Sequence, residues 1–227
     1  MIDTHCHLLP GVDDGPQDAT ESTRLAEALA AAGVTRVVCT PHVSRRWPTT
    51  RSRAEAALSE IVALGGLDVD LAAEFSPALL LEADSDVLEG LAIGGSFVLV
   101  ELKPDTAGDF VRVASDYVGR AGLRIVFAHP ERCRAVQRAV SIVDAIRDGG
   151  GLVQIVSSSL AGVWGDTTER TAWTLLSSGR ADVLASDAHQ VRDAERLVGV
   201  LAELEDRLGT EAARRLTQSG PAALLGG

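Results

Sequence analysis

Residues 1–7 read Met-Ile-Asp-Thr-His-Cys-His, a short apolar opening that ends in two histidines separated by one residue. Side chains alternate between the two faces of a β-strand, so His5 and His7 are expected to project from the same face. The chain has five histidines, and the other three also lie in short motifs at or just past apolar runs. Those motifs are Thr40-Pro41-His42, Ala128-His129-Pro130 and Ser186-Asp187-Ala188-His189. The pattern predicts one polar centre built from strand ends along the whole chain.

Seven strand-like runs, rich in aliphatic residues, are separated for the most part by helical patterns. The strand-like runs are Met1–Asp3, Arg36–Thr40, Val69–Ala73, Phe97–Glu101, Arg124–Ala128, Leu152–Val156 and Asp182–Ala185. The helical patterns are Ala19–Ala32, Arg51–Leu64, Phe110–Ala121, Ile142–Asp148, Thr167–Ser178, Ala194–Leu208 and Glu211–Thr217. Strands that alternate with helices at this spacing predict a parallel sheet in an α/β fold. The least regular stretch, Pro77–Asp86, is expected to be an inserted loop or a short helix.

Polar residues stand where the strand-like runs end. They are His5, His42, Glu74, Glu101, His129, Ser157 and Asp187. In a closed barrel of parallel strands, all carboxyl ends meet on one face, where active sites are built. An open sheet spreads the same ends along a wider edge. The sequence therefore predicts a TIM-like α/β barrel, formed as a single domain by residues 1–227.

The composition narrows the class of protein. The 227 residues carry a formal net charge of −11, which disfavours a nonspecific nucleic-acid binder. Three cysteines without a Cys-x-x-Cys pair fit a reducing compartment better than a disulfide scaffold. No apolar run approaches the roughly 18 residues of a membrane span, and the first residues lack the features of a signal peptide. We therefore expect a cytoplasmic protein without stable membrane insertion.

Eight side chains are candidate metal ligands. They are His5, His7, His42, Glu74, Glu101, His129, Asp187 and His189. This number exceeds what one tetrahedral or octahedral ion uses, so we expect two or three divalent ions that share bridging carboxylates. Imidazoles mixed with carboxylates suit manganese, iron or zinc, and such a cluster activates water and holds phosphoryl oxygens. Glu82, from the irregular stretch, is an alternative to Glu74.

Taken together, the motifs resemble the polymerase-and-histidinol-phosphatase (PHP) superfamily and, more closely, the CpsB/CapC capsule-biosynthesis tyrosine phosphatases. The matching segments are His5-Cys-His7, Gly11-Val-Asp-Asp-Gly-Pro16, Thr40-Pro-His42, Ala72-Ala-Glu74, Val100-Glu101, Ala128-His-Pro-Glu-Arg132, Gln154-Ile-Val-Ser-Ser158 and Ala185-Ser-Asp-Ala-His189. The resemblance implies a distorted seven-stranded barrel with a centre of three metal ions, usually active with manganese. It further implies phosphatase activity on phosphotyrosine proteins, among them the tyrosine-rich tail of a bacterial tyrosine kinase that controls polysaccharide export.

The same resemblance implies roles for residues around the ligands. Asp14 corresponds to an acidic residue linked to catalysis and is a candidate proton donor to the leaving phenolate. Its neighbour Asp13 is expected to shape the loop, but the sequence does not separate the roles of the two aspartates. Arg132 corresponds to an arginine that binds phosphate, a task that suits a guanidinium. The family's Gly-Arg-Pro segment is replaced here by Gln190-Val-Arg192, so Arg192 is a candidate substitute from a shifted position.

Further candidates for substrate binding follow from position alone. Arg45, Arg46 and Trp47 come directly after His42 and are expected to line the mouth of the site. They could attract a phosphate and pack an aromatic ring, or they could form a solvated loop or an interface. Trp164, after the sixth strand-like run, is another candidate for the rim.

Four alternatives to a metal-dependent tyrosine phosphatase stay open. Cys39 and Arg45 match the Cys-x5-Arg spacing of thiol-based phosphatases, although Pro41 removes one backbone donor from that loop. The opening of the chain also resembles TatD-type metal-dependent deoxyribonucleases, which lack a partner like His189. A histidinol-phosphate or other small-molecule PHP phosphatase shares the chemistry, and a binding protein with an inactive centre is a different class. The sequence assigns no oligomeric state.

Overall fold

Short parallel strands form the centre of the molecule, which the computed structural model describes over residues 1–226. Gly227, the last residue of the predicted domain, lies outside the described residues. The strands are β1 (Ile2–Cys6), β2 (Arg36–Cys39), β3 (His42–Val43), β4 (Asp68–Leu71), β5 (Glu74–Phe75), β6 (Phe97–Glu101), β7 (Arg124–Ala128), β8 (Leu152–Val156) and β9 (Val183–Ala185). They pair in the orders β1-β2-β4 and β3-β5-β6-β7-β8-β9, and every pairing is parallel.

These nine segments correspond to the seven predicted strands, because two of the strands are interrupted. β2 leads into β3 across Thr40-Pro41, and β4 leads into β5 across Ala72-Ala73. Pairing continues through both interruptions. The Ala72 N–H donates to the Cys39 carbonyl at 2.9 Å, and the Glu74 N–H donates to the Pro41 carbonyl at 3.1 Å.

The first and the last strand lie next to each other. Just beyond β9, the Asp187 N–H donates to the His5 carbonyl and the His7 N–H donates to the Ala188 carbonyl, each at 2.9 Å. These two bonds bring the edges of the curved sheet together at the end of the strands where the polar residues lie. The predicted TIM-like barrel is therefore confirmed, in a distorted form that is joined at this seam by few hydrogen bonds.

Helices cover the outside of the barrel. They are α1 (Ala19–Ala31), α2 (Arg51–Ser59), α3 (Pro77–Leu80), α4 (Ser85–Gly90), α5 (Phe110–Arg120), α6 (Arg134–Arg138), α7 (Ile142–Asp148), α8 (Ser157–Leu160), α9 (Asp166–Ser177), α10 (Val191–Leu208), α11 (Thr210–Arg214) and α12 (Gly220–Leu224). The irregular stretch 77–86 contains α3 and the start of α4. Helix α2 ends at Ser59, before the predicted Leu64. Val62, which follows it, is 91% exposed and does not contribute to the core. Helix α10 begins three residues before the predicted Ala194.

Alternation along β6 separates the inside of the barrel from the helical layer. Val98 and Val100 belong to the cluster that includes Val111 of α5 and Ile146 of α7. Leu99, between them, packs with interior side chains of neighbouring strands. Glu101 continues the inner series by the period of two, so the strand delivers its carboxylate to the mouth of the barrel. Among residues 1–226, no helix is both long enough and apolar enough to cross a bilayer.

Candidate metal centre

Seven of the eight predicted ligands come into contact at the carboxyl ends of the strands. They are His5, His7, His42, Glu74, His129, Asp187 and His189. The side chains form two overlapping groups, and within each group the ligand atoms all lie within 4.8 Å of one another. One contains His5, His7 and Asp187, and the other contains His7, Asp14, His42 and His189. Motifs that are far apart in the sequence therefore meet at one place in the fold.

In three of the histidines, the ring nitrogen Nδ1 lies close to an oxygen acceptor. His5 Nδ1 lies 2.7 Å from Gln154 Oε1, and His7 Nδ1 lies 2.7 Å from Asp13 Oδ2. His189 Nδ1 lies 2.9 Å from the Asp187 carbonyl. An imidazole that donates through Nδ1 keeps an unprotonated Nε2 as a ligand, which is how metal-binding histidines are oriented.

The inner nitrogens show that the donor set fits metal ions. His5 Nε2 and His7 Nε2 lie 3.2 Å apart, with Asp187 Oδ1 at 3.3 and 3.5 Å from them. Lone pairs held this close repel one another unless a cation or a proton lies between them. His129 Nδ1 is also buried without a hydrogen-bond partner. A buried polar atom without a partner costs about 1–3 kcal/mol of folding free energy. A cation bound in this centre would remove that cost.

Glu74 is the carboxylate at the middle of the centre. Its Oε1 accepts from His129 Nε2 at 2.9 Å, and its Oε2 lies 2.8 Å from His42 Nδ1 and 3.5 Å from His5 Nε2. Burial alone would raise the pKa of Glu74, but the surrounding histidines outweigh it and hold the pKa well below its usual value. A fully buried carboxylate shared by three imidazoles is suited to bridging ions.

His42 and His189 flank the exposed side of the centre, with Asp14 between them. The Asp14 carboxylate lies 3.4 Å from Nε2 of each histidine. Burial would lower the pKa of His42, but Glu74 and the nearby aspartates raise it to about 10. Burial would likewise lower the pKa of His189, but Asp14 and Asp187 raise it to about 9. Both side chains therefore face a strongly negative surrounding that attracts cations.

Two candidate ligands are presented by strained backbone. Among residues 1–226, His129 and Asp187 are the non-glycine residues with positive φ, at 38° and 53°. Each follows the end of a strand, β7 or β9. Left-handed backbone is unfavourable for residues with a Cβ atom and concentrates at functional sites. The turn redirects each side chain into the mouth instead of continuing the alternation of its strand.

Asp13 and Asp14 occupy different surroundings. The Asp13 carboxylate is buried and accepts from His7 Nδ1 and from the backbone N–H groups of His42 and Gly15. It thus shapes the loop, orients the His7 ring and holds the backbone at His42. Asp14 lines the open cleft, and its side chain is 47% exposed. Burial would raise the pKa of Asp14, but His189 and His42 lower it. The surroundings of Asp14 therefore lower its pKa, whereas a proton donor is expected to have a raised pKa.

Arg132 lies at the edge of the centre and is held from several sides. Its Nη2 donates to Asp187 Oδ2 and to Ser158 Oγ, each at 2.8 Å. The Trp164 ring covers the guanidinium, with Cζ 4.4 Å from the ring centroid. The charge of Arg132 is thus paired with the Asp187 carboxylate. Arg132 therefore joins a metal-ligand candidate to the open cleft.

The cleft above the centre has a volume of about 530 Å³. Arg192 lines it together with Asp14 and His189, as expected for a residue at the mouth. Arg45 and Arg46 line an adjoining depression that shares Asp14, His42 and Glu101 with this cleft. Arg45 pairs with Glu82 at 2.5 Å, and Arg46 stacks on Trp47.

Two acidic candidates lie further from the centre. Glu101 lines the cleft, but the contact of its carboxylate is with Lys103 Nζ at 3.2 Å. Burial and the nearby Glu74 raise its pKa. Glu82, the alternative to Glu74, forms a salt bridge with Arg45 instead of contacting a histidine. Glu74 therefore remains the candidate ligand at this position.

Some contributors to the site were not assigned from the sequence. Gln154 is fully buried in β8 and orients His5, while its own amide nitrogen donates to Thr4 Oγ1 at 3.1 Å. In the sequence, the signal for this role was a polar glutamine inside an otherwise apolar strand. The expected Ser157 instead bonds the Ser186 carbonyl, and its neighbour Ser158 lines the cleft.

Cys39 does not face the cleft. It is fully buried in the cluster between the outer side of β2 and the helices, with Leu25 and Ala54. Burial raises the pKa of its thiol above the usual value. A buried, protonated thiol is a poor nucleophile, so the geometry argues against thiol-based catalysis.

Fold and site together define an α/β barrel with a histidine- and carboxylate-lined centre that can hold metal ions. The chain belongs to the CpsB/CapC family of capsular polysaccharide synthesis, whose model matches residues 1–226. It is similar to the tyrosine-protein phosphatase YwqE of Bacillus subtilis, with 26% identity over 227 residues, 96% of this chain and 89% of that protein. The resemblance seen in the motifs is thereby confirmed.

Solved structures agree with this assignment. A crystal structure from work on YwqE of Bacillus subtilis and CpsB of Streptococcus pneumoniae, both described as metal-dependent tyrosine phosphatases, has a TM-score of 0.85 and 26% identity. It covers 99% of this chain and 94% of the other chain. Dihydropyrimidinase from Brevibacillus agri, at 14% identity and a TM-score of 0.62, covers 99% of this chain and 70% of its own, and shares the fold alone.

Proposed function

We propose that the protein is a metal-dependent phosphomonoesterase that hydrolyses phosphotyrosine in proteins. The observation that carries the proposal is the close approach of His5 Nε2 and His7 Nε2, 3.2 Å apart, beside the carboxylates of Glu74 and Asp187. Arg132 lies directly against the same Asp187 and supplies a positive charge at the cleft. The relative YwqE is named a tyrosine-protein phosphatase, which supports this choice of reaction.

The centre would hold two or three divalent ions, with manganese as the expected metal and iron or zinc as alternatives. The proposed ligands are His5, His7, His42, Glu74, Glu101, His129, Asp187 and His189. Bound ions supply charge that offsets the phosphate and lower the pKa of water so that it can attack phosphorus at neutral pH. The protein contributes the fixed geometry: Gln154 and Asp13 hold two of the imidazoles from behind.

Arg132 would bind the phosphoryl oxygens. Its guanidinium is already oriented by Asp187, Ser158 and Trp164, so little rotational freedom is lost when the substrate arrives. A preorganised cation stabilises the charge that accumulates on the equatorial oxygens in the transition state. Arg45, Arg46 and Arg192, around the mouth, would steer the phosphorylated chain towards it.

Asp14 would carry a proton to the leaving oxygen of tyrosine. Because the histidines lower its pKa, Asp14 starts as a carboxylate and must take up a proton before it can donate one. A phenolate, with a pKa of about 10, needs less protonation than an alkoxide does. A weak donor is therefore sufficient for an aryl ester.

The physiological substrate would be a phosphotyrosine protein, with the tyrosine-rich tail of a bacterial tyrosine kinase as the first candidate. The chain's place in a capsular polysaccharide synthesis family supports this choice. We also propose that residues 1–227 act as one domain, since the centre takes His5 and Asp187 from opposite ends of the chain.

The proposal is tested by hydrolysis of p-nitrophenyl phosphate and of a phosphotyrosine peptide. The purified protein is treated with EDTA, and Mn²⁺, Fe²⁺, Zn²⁺ or Mg²⁺ is then restored in separate reactions. We expect activity on both substrates only after metal is restored, and a loss of at least about 100-fold in folded His42→Ala. Absence of phosphatase activity with every metal would reject the proposal. Histidinol phosphate and single-stranded DNA, in the same assay, test the two alternative substrates.

A further inference from the structure

Trp164 is an aromatic side chain at the cleft that the mechanism uses only in part. It follows α8 and lines the cleft beside Val163, Arg132 and the ligand candidates His129 and Asp187. Trp164 is 54% exposed and Val163 is 46% exposed. Large exposed apolar side chains at the wall of a polar cleft indicate contact with an apolar part of a ligand.

The indole of Trp164 is fixed in place. Its Nε1 donates to Ser158 Oγ at 3.2 Å, and the Arg132 guanidinium lies over the ring with Cζ 4.4 Å from the centroid. Ser158 also accepts from Arg132, so the three side chains form a closed arrangement. Arg132 covers one face of the ring, and more than half of the residue is still exposed.

The other tryptophan at the mouth is occupied differently. Trp47 stacks on His42, with ring centroids 5.2 Å apart, and Arg46 Cζ lies 4.5 Å from the Trp47 centroid. Its ring is therefore engaged by two partners, whereas Trp164 has one. Trp164 also touches the arginine to which the phosphate is assigned, so the indole is within reach of a group esterified to that phosphate.

We propose that Trp164, with Val163 beside it, binds the phenyl ring of the substrate and makes the site selective for aryl over alkyl phosphates. This inference rests on the proposed function and names a specificity determinant of the same site. A phenyl ring packed against a rigid indole gains both apolar burial and favourable ring contact. An alkyl phosphate such as phosphoserine is too short to gain either contribution.

The test compares phenylphosphonate with methylphosphonate, two stable phosphate analogues, by calorimetric titration of the Mn²⁺-loaded protein. We expect the wild type to bind phenylphosphonate about tenfold more tightly, the factor to which 1.4 kcal/mol corresponds. Trp164→Ala should lose that factor for phenylphosphonate and keep its affinity for methylphosphonate. Trp164→Phe should retain most of the preference. Trp164→Leu, which removes the aromatic ring but keeps an apolar side chain, replaces Trp164→Ala if that variant does not fold.

Two controls separate ring binding from support of Arg132. Arg132→Lys should weaken both phosphonates equally, because it acts on the phosphonate group that they share. Val198→Ala, which changes an equally exposed side chain that is not part of the cleft wall, should leave both affinities unchanged. A Trp164→Ala variant that weakens both ligands equally would show that the ring only positions Arg132, and this result would overturn the inference.

The remaining outcomes distinguish the inference from the proposed function. If the wild type binds both phosphonates equally, or if Trp164→Ala changes neither, the aryl-selectivity inference is wrong while phosphate binding stands. If the wild type binds neither phosphonate, the proposed function fails and the inference fails with it.

Discussion

At the residue scale, two adjacent aspartates show how neighbours in the chain acquire separate tasks. Asp13 is buried and touches His7 and the backbone of His42, whereas Asp14 opens into the cleft between His42 and His189. A carboxylate behind a ligand sets the orientation and basicity of that ligand. A carboxylate in front of the ligands can contact the substrate. The two substitutions should therefore have distinct consequences.

Asp14→Asn should lower kcat by about 100-fold for a phosphotyrosine peptide and by less than about tenfold for p-nitrophenyl phosphate. The nitrophenolate is the better leaving group and depends less on a proton donor. Steady-state kinetics with saturating Mn²⁺ measures both values. Equal losses for the two substrates would instead assign Asp14 to metal binding.

Asp13→Asn is the matched control for this experiment. It should weaken metal binding by about 10–100-fold, because the acceptor that orients His7 is altered. Excess metal should then restore much of the activity on both substrates. Competition with a chelating dye measures the change in affinity.

The position of Cys39 leads to a second prediction at this scale. Cys39→Ser should keep activity within about twofold, since the thiol lies in the core behind β2 and not at the cleft. The same variant should lose about 1–3 kcal/mol of unfolding free energy, because a hydroxyl replaces a buried apolar group. Kinetics and urea denaturation check the two statements separately. A folded variant without activity would revive the thiol mechanism.

At the scale of single elements, caps and strand ends decide where the site residues come to lie. Helix α1 begins at Ala19 because the Asp18 carboxylate accepts from the N–H groups of Thr20 and Glu21 at 2.8 and 2.9 Å. The Glu21 side chain accepts in return from the Gln17 N–H at 2.8 Å. This reciprocal arrangement is a capping box, displaced by one residue, and it fixes the exit of the loop that carries Asp13 and Asp14.

Asp18→Ala should lower the unfolding free energy by about 1 kcal/mol, because two backbone donors lose their acceptor. The melting temperature should fall by about 2–4 °C for a domain of this size. Asp18→Asn or Asp18→Ser should recover most of the loss, since both side chains are good caps. Calorimetry of the three variants measures the series, and an unchanged melting temperature in Asp18→Ala would show that the cap is not stabilising.

At the scale of the whole molecule, the centre joins the first and the last strand of the barrel. His5 and His7 belong to the first strand, and Asp187 and His189 follow the last strand. A ligand that binds these residues together stabilises the folded state and has no equivalent site in the unfolded chain. Metal binding should therefore strengthen the seam between β1 and β9, where few backbone bonds are made.

Removal of metal should lower the melting temperature of the protein by about 10 °C. Free metal at about 1,000 times its Kd contributes about 4 kcal/mol of stability, and each kcal/mol corresponds to about 2–4 °C. Thermal unfolding after EDTA treatment, and again after Mn²⁺ is restored, measures this shift. His42→Ala is the control and should show a much smaller shift. An EDTA-treated protein that melts at the same temperature as the Mn²⁺-loaded one would contradict the proposed centre.

The class of fold and most of the candidate ligands were predictable from local sequence patterns. Both depend on local periodicities: the His-x-His spacing selects one strand face, and parallel strands place their carboxyl ends together. The polar ends of strands could therefore be identified one at a time. The tertiary structure decided which atoms meet.

Only tertiary packing could assign the partners of those ligands. Gln154 orients His5 across 149 residues, and Trp164 covers Arg132 from a loop that lacks regular structure. His129 and Asp187 reach the centre through left-handed backbone, which departs from the periodicity on which the prediction relied. Contacts of this kind depend on how the barrel closes and how each loop packs, and no local pattern of residues encodes either.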